Sequence, residues 1–200
     1  NARVVEWYGG VAPNYGRYML QVPVPAGSEP RLLLEQTLSN EHSGPLSREA
    51  KVLRFDVKVF TDAADPFTDP QQNFLEVRLK RVEDGVMFSG KLELRPDLLG
   101  DPEPFPEWPG TGTPRATPWL STGLDDAQLG DFRGKACTLS IYGQVAAGTT
   151  VALFDGFRFG KVWVAAHKVD GTTPDPYKDI ARVNELYQQA GVAIALNPFG

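Results

Sequence analysis

A single cysteine, Cys137, stands in 200 residues, so no disulfide closes within the chain and no multi-cysteine zinc site can be built. It lies in "ACTLSIYG" in phase with Leu139 and Ile141, which predicts a small buried hydrophobe rather than a nucleophile. Histidine is almost as scarce: His42 and His167 are the only two, one short of a three-histidine metal site. No apolar run approaches the ~20 residues that cross a bilayer, the longest being "VWVAA" and "GVAIAL", which leaves peripheral membrane contact at most. No cluster of five Lys or Arg offsets the formal charge of −5, so a polyphosphate is repelled and nucleic acid is set aside as a partner. The Gly-x-Ser-x-Gly turn of nucleophile-elbow hydrolases is missing, and "GTGTPRA" lacks both the lysine-serine ending and the helix of a phosphate loop. The chain starts at Asn1, which fits a mature chain after signal-peptide removal and equally a trimmed one.

What is present points to β structure. With 42% hydrophobic and 22% charged residues the composition is that of a globular protein, while 20 Gly and 17 Pro demand many turns. In "KVLRFDVKVF" Leu53, Phe55, Val57 and Val59 alternate with Arg54, Asp56 and Lys58, the period of a strand with one face on a core. "NFLEVRLKRV" and "VMFSGKLELR" repeat the pattern, and the short "EDG" between them predicts an antiparallel hairpin with Glu76, Arg78 and Lys80 opposite Lys91 and Glu93. "RYMLQVPVP", "PRLLLEQTL", "CTLSIYG", "TTVALF" and "FRFGKVWVAA" read as further strands, with "VAIAL" as a short last one. From Leu99 to Lys135 proline and glycine break the pattern, and a long ordered loop is expected, pinned by Phe105, Trp108 and Trp119. One helix is predicted over 176–190: Asp175 fits the N-cap, Pro176 the first turn and Gly191 the C-terminal stop. The expected fold is mainly β: one antiparallel β-sandwich domain over 1–200, with a Pro-rich insertion at 99–135 and a C-terminal helix.

Three features carry chemistry. Asp62, Asp65 and Asp69 in "FTDAADPFTDPQQNF" supply carboxylates for a Ca²⁺ loop, but their spacing is not that of an EF-hand. Asp65 and Asp69 both precede proline, which favours turns that the carboxylates cap themselves, with Phe67 folded back as a plug. Trp108 and Trp119, with Phe105, offer flat rings to a sugar or a peptide, against the plainer role of anchoring their loop. Glu35, Asp56, Glu76 and Glu93 could form a carboxylate pair about 5 to 9 Å apart, as glycoside hydrolysis requires. Each also sits in a strand whose solvated face needs polar residues.

"YGRYMLQVPVPAGSEPRLLLEQ", then "VLRFDVKVF", then "YGQVAAGTTVAL" resembles the strand scheme of a cyanobacterial exported β-sandwich family of unknown function. The chain departs from it at Ala147, where that family has proline before glycine, and in its Pro-rich insertion and C-terminal helix. The resemblance implies export to the periplasm or thylakoid lumen, no known catalysis, and no functional residue to carry over. The expected function is therefore a non-catalytic binding or accessory subunit with protein partners, touching them through 99–135 and the helix. The alternative is a carbohydrate-binding or carbohydrate-active protein using Trp108 or Trp119 with a carboxylate.

Overall fold

The computed structural model describes residues 2–38, 53–158, 161–164 and 193–196, the last two segments as strands only. In chain order the strands are β1 (Arg3–Val5), β2 (Met19–Pro23), β3 (Arg31–Leu38), β4 (Leu53–Thr61), β5 (Phe74–Arg81), β6 (Met87–Glu93), β7 (Arg115–Ala116), β8 (Leu120–Leu124), β9 (Cys137–Gln144), β10 (Thr150–Arg158), β11 (Lys161–Val164) and β12 (Ala193–Leu196). A short helix, α1 (Asp126–Leu129), follows β8. The predicted helix at 176–190, His42 and His167 lie outside the described residues.

Two antiparallel sheets form the sandwich. The first runs β1-β2-β10-β4, with β7 and β8 both on the far edge of β4; the second runs β3-β9-β5-β6. β11 and β12 pair in parallel as a separate ribbon. The alternation seen in the sequence puts Phe55, Val57 and Val59 of β4 and Phe154 of β10 against Leu75, Val77 and Leu79 of β5 and Ile141 of β9. Burying a side chain of this size contributes about 1.5–3 kcal/mol, so the shared face is what holds the sheets together. Cys137 belongs to it, its Sγ near the Phe132 and Lys135 carbonyls, and burial pushes its thiol pKa up. Phe67 is buried there too, at φ 60°, as the plug of its loop.

The expected hairpin forms, from Phe74↔Glu93 to Lys80↔Met87. Glu76 does stand opposite Lys91, but its ion pair goes to Arg78, two residues along the same strand, at 2.7 Å. β3 departs from strict alternation. Its register jumps between Leu32 and Leu34, a bulge that turns Leu33 and Leu34 toward the core and leaves Glu35 opposite Ser140 outside.

The larger departure is in the Pro-rich segment, expected as loop throughout. Its second half supplies β7, β8 and α1, and β8 pairs with β4 over Leu53–Val57. Pro118 has no N–H to give the ladder, and the register slips by one residue between Phe60↔Ala116 and Val57↔Leu120. Thr117 fills the gap: its amide donates to the Val59 carbonyl at 2.9 Å and its hydroxyl accepts the Val59 N–H at 3.0 Å.

Consequently the outer side of the first sheet is not a solvated face. Tyr8, Met19, Phe60, Val151 and Leu153 form a second core under Phe105, Trp108 and Trp119. Asp56, expected on a wet surface, is buried, and Lys58 is half-buried with its Nζ donating to the Thr117 carbonyl at 2.7 Å. Burial pulls the Lys58 pKa down, against the pull of Glu103.

Candidate functional site

Asp62 sits where β4 runs into its loop, beside the turn that precedes β10. Its Oδ1 accepts the Thr149 amide at 2.7 Å, and its Oδ2 accepts the Trp108 indole N–H at 3.2 Å and the Gly112 amide at 3.1 Å. Desolvation pushes this carboxyl up, but the three donors together hold it below the usual carboxylate range. Gly110 leaves room for this arrangement, since a Cβ there would run into Asp62 Oδ2 and lie 2.5 Å from Trp108 Nε1, and would have to displace them. Asp62 thus fastens the Pro-rich insertion to the sheet. Asp69 is a turn residue: it accepts the Gln71 amide at 2.9 Å and the Gln72 side chain at 3.0 Å. Asp65 is exposed. The three aspartates are not brought together, and no group of three or more His, Cys, Asp or Glu fit to hold a metal occurs among the described residues.

The sequence-predicted rings pack against the second core. Phe105 packs edge-on to Tyr8, Phe60 and Trp108, with centroids 5.1, 5.5 and 5.8 Å apart. Trp108 and Trp119 are half-buried against the same cluster.

Six residues back along β4, Asp56 and Asp155 are cross-strand partners, both buried. Asn14 Nδ2 donates to Asp56 at 2.9 Å, and the Tyr15 and Gly156 amides donate to the two oxygens of Asp155 at 2.6 Å each. Burial pushes the Asp155 carboxyl up and nearby Asp56 adds to this, and the amides that stabilise the anion do not fully offset it. These buried carboxylates hold the backbone of residues 14–15. The Tyr15 ring then lies across Gly156, where a Cβ would come within 2.6 Å of Tyr15 Cδ2, at φ 61°.

The N-terminal stretch held by this clip carries a candidate ledge of exposed rings. Trp7, Tyr18 and Tyr15 are exposed by 59%, 52% and 40% of their surfaces. The β2–β10 ladder ends at Leu20↔Phe154, so Tyr18 and Gly156, each two residues further on, emerge at the same end of the sheet. Arg17 lies over the Tyr18 ring at 5.4 Å and binds Glu6 at 2.9 Å, tying Tyr18 back to the stretch that carries Trp7.

Among the other carboxylates, Glu35, Glu76 and Glu93 share the outer face of the second sheet, where Ser140 Oγ donates to Glu35 at 3.0 Å and Arg78 binds Glu76. The rings on that face are capped by cations. Arg78 lies 4.0 Å over Tyr142 and Lys91 Nζ 3.8 Å over Phe74.

No family model matches this chain, and no curated protein does. Among solved structures it is similar to TmCBM61 in complex with beta-1,4-galactotriose, at 15% identity over 77% of each chain and a TM-score of 0.32.

The ledge and Asp155 were not singled out from the sequence, although "EWYGGVAPNYGRYM" carries a signal. It packs Trp7, Tyr8, Tyr15 and Tyr18 into twelve positions without strand alternation. Asp155, at the end of the apolar "VALF", is a carboxylate following a run apolar on both faces, which calls for a dedicated donor set.

Proposed function

We propose that this chain is a non-catalytic binding module that takes carbohydrate on the ledge of Trp7, Tyr15 and Tyr18. The observation that carries the reading is the exposure of these three rings, in contrast to the half-burial of Trp108 and Trp119. Tyr and Trp present a flat apolar face with a polar edge, which suits the C–H face of a pyranose ring and its hydroxyls. They lose little conformational freedom on binding, because few torsions must be fixed. Further support comes from the rigid mounting of Tyr15, since a platform held by packing and hydrogen bonds is organised before the ligand arrives. An accessory place in a larger assembly, outside the cytoplasm, suits such a module and belongs to the same proposal.

The test is retention of the full chain in native gels cast with a panel of soluble neutral polysaccharides, backed by calorimetry with oligosaccharides of any that retard it. Trp7→Ala and Tyr18→Ala should each abolish retardation while the melting temperature stays that of the parent. Retention that survives both substitutions, or no retention on any member of the panel, would overturn the ledge as a sugar platform.

A further inference from the structure

Asp155 is 5% exposed and its cross-strand neighbour Asp56 is 3% exposed, so two like charges are sealed side by side on the outer face of the first sheet. An anion taken out of water beside another anion is penalised twice. Donors offset part of the penalty: the Tyr15 and Gly156 amides take the two oxygens of Asp155 at 2.6 Å each, and the Asn14 amide adds a weaker pull. Asn14 and Tyr15 belong to the stretch that leads into Tyr18, and the Tyr15 ring closes over Gly156. The stretch that covers Asp155 is therefore the one that carries two of the three ledge rings.

The charges around Asp155 come from several elements. On β4, Arg54 and Lys58 flank Asp56, Arg54 exposed and Lys58 donating to the Thr117 carbonyl. On β10, Arg158 pairs with Arg54 in the register. β8 places the uncharged Ser121 opposite Asp56. Pairing of β2 with β10 ends at Leu20↔Phe154, and Arg17 beyond it is bound to Glu6. The N-terminal stretch adds the Tyr15 phenol and the Asn14 amide group, which donates to Asp56. Of these charges Asp56 is the one that weighs on Asp155, and it acts with burial to raise the carboxyl.

We propose that Asp155 is a proton-operated latch for the aromatic ledge: with a proton on it residues 14–15 stay seated on the sheet and the rings are held ready for sugar, and loss of the proton loosens them. The latch rests on the reading of the ledge as a sugar platform and adds its regulation. A protonated carboxyl keeps a carbonyl oxygen for the Tyr15 amide, so the contact outlives the charge. Unseating lets water reach Asp155 and returns it toward its ordinary value of 3.8, whereas seated it is raised. The seated form thus binds the proton more tightly. Its support is complete below 3.8 and is lost as pH rises through the seated value. Sugar affinity follows the seated fraction and so falls with rising pH, by at most about tenfold per pH unit because one proton is involved.

Two readouts on the full chain between about pH 4 and pH 8 test the latch: the NMR exchange protection of the Tyr15 amide, corrected for the intrinsic rate at each pH, and retardation by the neutral polysaccharide panel. In the parent both should fall as pH rises. Asp155→Asn carries no charge and keeps a carbonyl, so both should become flat. Asp56→Asn removes the neighbouring charge and should move the fall to lower pH, and this shift decides the matter if Asp155→Asn does not fold. Trp7→Ala should lose retardation yet keep the pH response of the Tyr15 amide. The latch is overturned if protection in the parent does not change with pH, or if Asp155→Asn and Asp56→Asn respond as the parent does. Retardation that is constant in pH while protection falls would refute the coupling to sugar. No retardation at any pH with a falling protection would instead refute the sugar platform and leave the proton-dependent clip in place.

Discussion

Asp62 and Asp155 are two aspartates doing opposite things on one strand pair, Asp62 just past its end and Asp155 within it. Asp62, half-buried at the end of β4, collects an indole and two amide donors, and its carboxyl is held down. Asp155, buried in β10 beside Asp56, also receives amide donors, yet its carboxyl is pushed up because burial and a neighbouring carboxylate both penalise the anion. Similar donors therefore give opposite outcomes. Solvent access and the nearest charge decide which one results. Each station fastens a segment over the outer face of the same sheet, Asp62 the Pro-rich insertion and the Asp56–Asp155 pair the aromatic N-terminal stretch.

The comparison breaks most severely at Asp62. Asp62→Ala strands three donors at once and should cost about 2–4 kcal/mol in urea unfolding, with a red shift of tryptophan emission as Trp108 loosens. A loss below ~1 kcal/mol would mean that the insertion is held by its apolar anchors alone. Asn14→Ala removes one donor from Asp56 and should cost about 1 kcal/mol. If the clip also mounts the ledge, sugar retention should weaken in the same variant, and unaltered retention would separate clip from platform.

A smaller effect comes from pH, and the two stations have opposite signs. Because the folded Asp155 carboxyl is raised above its ordinary value of 3.8, its contribution is complete below that value and is lost as pH rises through the folded one. Asp62 is lowered, so its contribution is present above 3.8 and is lost as pH falls through its folded value. The gap in melting temperature between parent and Asp155→Ala should therefore widen as pH drops from neutral toward 4. The gap for Asp62→Ala should stay level over that range and close only below it. Identical pH profiles for the two variants would refute the contrast. Smallest of all, Trp7→Ala should leave unfolding free energy within about 0.5 kcal/mol of the parent, as expected for a ring that packs on little.

Much of the sandwich was readable in the sequence, and the reason is the period of two. Leu53 to Val59 and Leu75 to Leu79 announce their inner face, and the hairpin around Asp84–Gly85 is set by a turn too short for any other connection. The Pro-rich segment was legible only as an anchored stretch. β8 is short, and what makes it a strand is the edge of β4 offering free N–H and C=O groups after Thr117 has bridged Pro118. The site residues were harder still. Trp108 and Trp119 are readable in sequence both as anchors of their loop and as rings for a ligand, and nothing there shows that Tyr8 and Phe60 wait beneath them. Trp7 and Tyr18 look no different from them.

By itself, the sequence determined which strands have a core face, that no disulfide braces them, and that the surface is acidic. These follow from residue type and local spacing, which act over a few positions. Only the tertiary structure decided that the outer face of β4 is covered, that Asp56 meets Asp155, and which aromatic rings stay in water. Those depend on segments far apart in the chain arriving at one place, and burial, the quantity that sets both carboxylate pKa values and ring exposure, exists only once they have arrived.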